Sequence, residues 1–175
     1  MNENYLFLLG DNMDLPKRKP TRLKDYDYSS EGAYFITICT NNKQKILCDI
    51  VGDGAHDVPK INLSSNGEIV EKYILSTNKI SELTVDKYVV MPNHIHLILL
   101  IQNQNGTSKA PSPTNNIISR SISTFKRFVN KDIGHNIFQR SFHDHIIRDE
   151  NDYLKIWNYI DTNPQKWADD CFYTK

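Results

Sequence analysis

Cysteine is scarce and badly placed for chemistry. Cys39, Cys48 and Cys171 are odd in number and far apart, and none belongs to a CxxC pair. That argues against a disulfide framework and a thiolate zinc site, and makes a reducing cytoplasm the expected compartment. Long apolar runs are missing too. Nothing approaches the roughly 18 residues of a membrane helix, so no membrane partner is expected. The short run Tyr5–Leu9 has no basic residue before it and makes a poor signal peptide. Net charge is also absent, since 21 Lys+Arg balance 21 Asp+Glu. No global field therefore draws the chain to nucleic acid.

What is present is an ordinary globular composition. Apolar residues make up 39% and charged residues 24% of 175 positions, enough for one domain with its own core. Residues 1–20 read as a flexible N-terminal arm, and 21–175 as a single domain. Charge is unevenly spread. Between Lys109 and Arg148 stand seven Lys/Arg (Lys109, Arg120, Lys126, Arg127, Lys131, Arg140, Arg148) and only Asp132 and Asp144 as acids. A second basic run is Lys17-Arg18-Lys19 with Arg22 and Lys24, whereas the stretch from Asp149 is mainly acidic. One basic face on a neutral molecule suits phosphate contact, and equally suits a solvated surface.

Hydrophobic periodicity orders the elements as β–α–β–β–α–β–α. Gly32–Cys39 is rich in β-branched and aromatic residues and reads as a strand. Residues 49–62 hold Gly52, Gly54 and Pro59 and read as a loop or short hairpin. A helix follows, with Ser65 and Glu68 at capping-box spacing and Ile69, Tyr73 and Ile74 on one face. Leu83–Val90 and His94–Ile101 are strands separated by Met91-Pro92-Asn93, and should pair antiparallel. Gln102–Asn116 is a flexible loop. Ile117–Asp132 is a helix whose Ile118, Ile122, Phe125 and Val129 share a face. Ile137–Ile147 reads as a strand. Asp149–Thr162 is a final helix, stopped by Asn163-Pro164. The simplest fold is α+β: a ferredoxin-like split βαβ core with an antiparallel sheet.

Side chains two apart on a strand point the same way. His94-Ile95-His96 can therefore turn both imidazoles toward one metal ion while Ile95 packs on the other face. The alternative is a satisfied core pair. His143-Asp144-His145 has the same spacing and could ligate, bind phosphate or sit on a strand edge. On the last helix Tyr159 and Asn163 are four apart and share a face. A tyrosine can be a covalent nucleophile and an amide oxygen can complete a metal site; a core tyrosine and a helix-capping asparagine are the alternative.

Taken together, the ordered set Met91-Pro-Asn-His-Ile-His-Leu-Ile98, Phe138-Gln-Arg140, Asp144-His-Ile-Ile-Arg148 and Tyr159-Ile-Asp-Thr-Asn-Pro164 resembles the REP-associated tyrosine transposases. These are relatives of the single-tyrosine transposases of insertion sequences, and both are HUH endonucleases. Arg22–Ser29, Gly32–Cys39 and Phe125-Lys126 extend the likeness over roughly residues 20–170.

The resemblance implies a helix-borne nucleophile, Tyr159, and metal ligands His94, His96 and Asn163, with Mg²⁺ or Mn²⁺ as the ion. His145 matches a position often filled by histidine and is an accessory candidate. The implied substrate is single-stranded hairpin DNA, cleaved and rejoined through a 5′-phosphotyrosine. Arg120, Lys126, Arg127, Arg140 and Arg148 are the candidate phosphate contacts. Tyr34, Phe142 and Trp157 are candidates for base stacking or, more simply, core packing. Alternatives are a domesticated transposase that only binds DNA and a metal-dependent hydrolase using His94, His96 and His143 or His145. A homodimer is one expectation, because in insertion-sequence relatives the tyrosine helix can serve a partner's site.

Overall fold

The computed structural model describes residues 30–52, 59–77, 83–102 and 117–173. The N-terminal arm, the Lys17–Lys24 run and nearly all of the Gln102–Asn116 loop lie outside them. Four strands form the main sheet: β1 (Gly32–Cys39), β4 (Leu83–Met91), β5 (His94–Ile101) and β6 (His143–Ile147). Their spatial order is β4-β5-β1-β6, and every neighbouring pair is antiparallel. This is the ferredoxin-like arrangement, with β5 central. A small ladder of β2 (Cys48–Val51) and β3 (Lys60–Leu63) supplies the hairpin expected in 49–62.

Two helices cover one face of the sheet. Helix α1 (Ser65–Thr77) buries Val70 and Ile74, and α2 (Ile117–Ile133) buries Ile118, Ile122, Phe125 and Val129. They pack on Tyr34, Ile36 and Ile38 of β1 and Ile95, Leu97 and Leu99 of β5. A third helix, α3 (Glu150–Thr162), covers the opposite face. Its fully buried residue, Ile160, meets Val89, Met91 and Ile98.

Two local expectations needed correction. The α1 cap is Ser64, not Ser65: its Oγ accepts the Gly67 N–H at 3.1 Å and its carbonyl the Glu68 N–H at 2.9 Å. Ser64 is still bonded through its own N–H to Leu47 O, so it stands just outside the helix. Gly67 is required there, because a Cβ would fall 2.0 Å from the Leu47 carbonyl oxygen. The last strand begins at His143, not Ile137. Phe138 makes only an isolated bridge to Thr40, and Lys126 Nζ draws off the carbonyls of Gln139, Arg140 and Ser141 at 2.8, 3.4 and 3.0 Å. The final helix ends at Thr162, where Asn163-Pro164 was expected to stop it, and a separate 3₁₀ segment, Asn163–Asp169, follows with proline in its first turn and Asn163 in right-handed helical geometry.

Candidate active site

Antiparallel register fixes which side chains share the α3 face. Cys39 lies opposite His94, Thr37 opposite His96, and Thr37 and Phe35 opposite His143 and His145. The two histidines of β5 are therefore presented beneath α3, while Ile95 between them is wholly buried under α1 and α2.

His94 and His96 are 0% and 1% exposed, and their Nε2 atoms face each other 3.0 Å apart. Each ring is held from behind. Asn93 Nδ2 is committed to the carbonyls of Lys43 (3.3 Å) and Phe172 (2.8 Å), so its Oδ1 accepts the His94 Nδ1–H at 2.8 Å. That proton placement leaves the His94 Nε2 lone pair free. Thr37 Oγ1 lies 2.8 Å from His96 Nδ1 and can fix the same tautomer. Burial pushes the His94 pKa down to about 4, and burial with the neighbouring His94 pushes that of His96 well below the usual range. Both imidazoles are thus neutral across physiological pH, the form that ligates metals.

Helix α3 carries Tyr159 to this pair within one chain. Its hydroxyl is 3.3 Å from His96 Nε2 and donates to Asp170 Oδ2 at 3.2 Å. The ring stands edge-on to Phe35 at 6.0 Å, with 38% of the residue still exposed. Burial first, then the Asp170 charge, raises the phenol above its ordinary pKa, so it rests protonated. One turn on, Asn163 is 2% exposed. Its Nδ2 donates to Asp170 Oδ2 at 2.8 Å, and its buried Oδ1 has no hydrogen-bond partner among the described residues.

These residues fit a divalent ion. Two neutral ring nitrogens converge, and an amide oxygen that is costly to bury alone sits unpartnered on the residue that holds Asp170. Among the described residues, one group of potential His, Cys, Asp or Glu ligands forms: His94, His96 and Asp170, with ligand atoms within 4.8 Å of one another. Asp170 had no signal in the sequence, lying beyond the helical pattern in an acidic stretch. Asn93 and Thr37 were missed as well, although Asn93 adjoins His94 and register places Thr37 opposite His96.

Other candidates lie elsewhere. His145 Nε2 pairs with Asp152 Oδ2 at 2.8 Å, tying β6 to the first turn of α3, and it is not in the histidine–aspartate group. The His143 ring is 6.4 Å from Phe172. Arg120 and Arg127 are exposed on α2, in the layer opposite the site, with Arg127 5.1 Å from the Phe128 ring. Arg140 and Arg148 are exposed before and after β6. Lys126 is spent on three carbonyls. Burial pushes its pKa down to about 8, while the carbonyl oxygens favour its charged form. Tyr34 is a core residue and Phe142 packs against the same core, whereas Trp157 is exposed beneath Lys87 Nζ at 3.7 Å.

The family profile described as "Transposase IS200 like" matches residues 28–163. The chain belongs to the IS200-like transposase family. His94, His96, Tyr159 and Asn163 lie inside that span, and Asp170 lies beyond it. An uncharacterized protein of Haemophilus influenzae (strain ATCC 51907 / DSM 11121 / KW20 / Rd) is 32% identical to this IS200-like transposase over 180 residues, covering 93% of this chain and 96% of that one. A solved REP-associated tyrosine transposase bound to a REP hairpin superposes with a TM-score of 0.59 at 20% identity, over 84% of this chain and 74% of that chain. That likeness shows a common fold. No described helix of this IS200-like transposase is long and apolar enough to cross a membrane.

Proposed function

We propose that this transposase cuts and rejoins single-stranded, hairpin-containing DNA through a 5′-phosphotyrosine on Tyr159. The observation that carries the reading is the approach of the Tyr159 hydroxyl to 3.3 Å from His96 Nε2 within one chain. It also favours a tyrosine acting in cis, so a homodimer is not needed to complete the site. His94, His96 and the Asn163 amide oxygen would hold Mg²⁺ or Mn²⁺, with two nitrogens tilting the choice toward Mn²⁺. When bound, the ion neutralises charge on the scissile phosphate.

The protein's own residues do the rest. Asn93 and Thr37 orient the imidazoles. Phe35 holds the Tyr159 ring edge-on, leaving the hydroxyl to meet phosphorus in line. On attack the phenol loses its proton, a bond forms from the Tyr159 oxygen to phosphorus, and the bond to the 3′ oxygen breaks. The 3′ oxygen leaves and takes up a proton. Attack by that or another 3′ hydroxyl reverses the exchange, restoring Tyr159 and a continuous strand. The phosphotyrosine conserves the phosphodiester bond energy, so no nucleotide hydrolysis is needed. Exposed Arg120, Arg127, Arg140 and Arg148 would take phosphates. Lys126 fits better as a clamp on the 139–141 backbone.

The test is a hairpin oligonucleotide with a single-stranded flank, 3′-end-labelled, incubated with Mn²⁺ and run on a denaturing gel. The label should migrate with the protein. Tyr159→Phe should abolish that adduct and leave DNA affinity within about twofold. Cleavage without an adduct would identify a water-using hydrolase, and binding alone a silent domesticated transposase. An adduct that survives Tyr159→Phe would sink the nucleophile assignment.

A further inference from the structure

We infer that Asp170, a residue of the C-terminal segment beyond the family-matched span, is itself a ligand of the metal. The inference rests on the metal reading above and adds to it the one anionic donor.

Geometry carries it. The relevant atoms of His94, His96 and Asp170 lie within 4.8 Å of one another. Two ligands on opposite sides of an ion with bonds of about 2.1 Å stand ~4.2 Å apart, so a shared ion asks for movements of only a few tenths of an ångström. Asp170 is also held as a ligating carboxylate is held. Oδ1 accepts the Phe172 N–H at 2.6 Å, and Oδ2 accepts Asn163 Nδ2 at 2.8 Å. Its segment is pinned to the same residue that orients the first histidine. Asn93 donates Nδ2 to Phe172 O while its Oδ1 faces His94 Nδ1. The Phe172 ring closes over the pair, 4.7 Å from the His94 ring and 5.9 Å from that of His96.

A second observation points the same way. Asn163 Oδ1 is buried without a partner beside the carboxylate that its own nitrogen holds. One amide thus orients Asp170 with its nitrogen and keeps its oxygen for the ion. The donor set becomes two imidazoles, an amide oxygen and a carboxylate. Two imidazoles and an amide carry no charge and hold hard divalent ions weakly. A carboxylate supplies both hardness and charge.

The test is Mn²⁺ binding to the full chain without DNA, read from the loss of the free-ion electron paramagnetic resonance signal. Wild type should bind, and His96→Ala should not. Asp170→Asn should weaken binding at least about tenfold, Asp170→Glu should recover most of it, and Lys72→Ala, on α1 in the opposite layer and paired with Asp132, should leave it near wild type. Circular dichroism of each variant guards against misfolding, and the near-isosteric Asp170→Asn is the decisive one. If Asp170→Asn binds Mn²⁺ like wild type while His96→Ala does not, Asp170 is no ligand and the histidine site stands. If wild type fails to bind Mn²⁺ at all, the metal reading falls and this inference falls with it.

Discussion

The two faces of the sheet are built differently. The face under α1 and α2 is a continuous apolar layer, with Tyr34, Ile36, Ile38, Ile95, Leu97 and Leu99 meeting four buried residues of α2. The face under α3 has a small apolar cluster around Ile160 and, next to it, two buried imidazoles. Much of what holds α3 is polar: Tyr153 Oη to Asp86, Lys87 to Asp161 at 2.6 Å and over Trp157, and His145 to Asp152. One face secures the fold with hydrocarbon, and the other buries two imidazoles beside a small apolar cluster.

That contrast can be broken by measurement. The largest expected effect is Ile95→Ala, which opens a cavity under α1 and α2 and should cost about 3–5 kcal/mol in urea denaturation. Ile160→Ala should cost only about 2 kcal/mol, because its smaller cluster can close up. Equal losses would show α3 to be as integral as the other helices.

Acid should come next. His94 titrates near pH 4 when folded, against an ordinary value of 6.5. Between those values the unfolded chain binds the proton first, so stability of the metal-free protein should fall as pH drops from 6.5 toward 4. The loss should reach roughly 3 kcal/mol. His94→Gln should make the profile measured by denaturant titration at each pH shallower, leaving the part that buried His96 contributes. An unchanged slope would mean that burial of His94 is not what sets it.

The smallest effect should be at Lys87, where β4 meets α3. Lys87→Ala removes an ion pair whose aspartate is half exposed, so stability should fall by less than about 1 kcal/mol. A loss as large as that of Ile95→Ala would reverse the view of α3 as lightly held.

Legibility in the sequence followed periodicity. The alternation of β5 put His94 and His96 on one face, and helical spacing did the same for Tyr159 and Asn163; only the family resemblance joined the two pairs before any coordinates. The alternating four- and three-residue spacing from Ile118 to Val129 revealed the buried face of α2. Features without a period were hidden. Asp170 follows a 3₁₀ segment, where no regular spacing relates it to His94, and its approach depends on Asn93 binding the Phe172 backbone. The start of β6 was misjudged because Ile137 and Phe138 look like strand residues. Between those residues and β6, the carbonyls of Gln139 and Ser141 accept from the distant Lys126 ammonium. For the same reason Lys126, counted among phosphate contacts by charge, has its donors occupied within the fold.

One consequence of the alternation on β5 concerns folding fidelity. A hairpin that paired Met91 and His94 one residue out of register would turn Ile95 toward α3 and drive both imidazoles into the hydrocarbon beneath α1 and α2. Each imidazole would lose its Asn93 or Thr37 partner, at several kcal/mol for the pair. The misaligned molecule is therefore unstable, and its histidines are turned away from Tyr159. The same side chains that form the candidate site proofread the pairing that creates it.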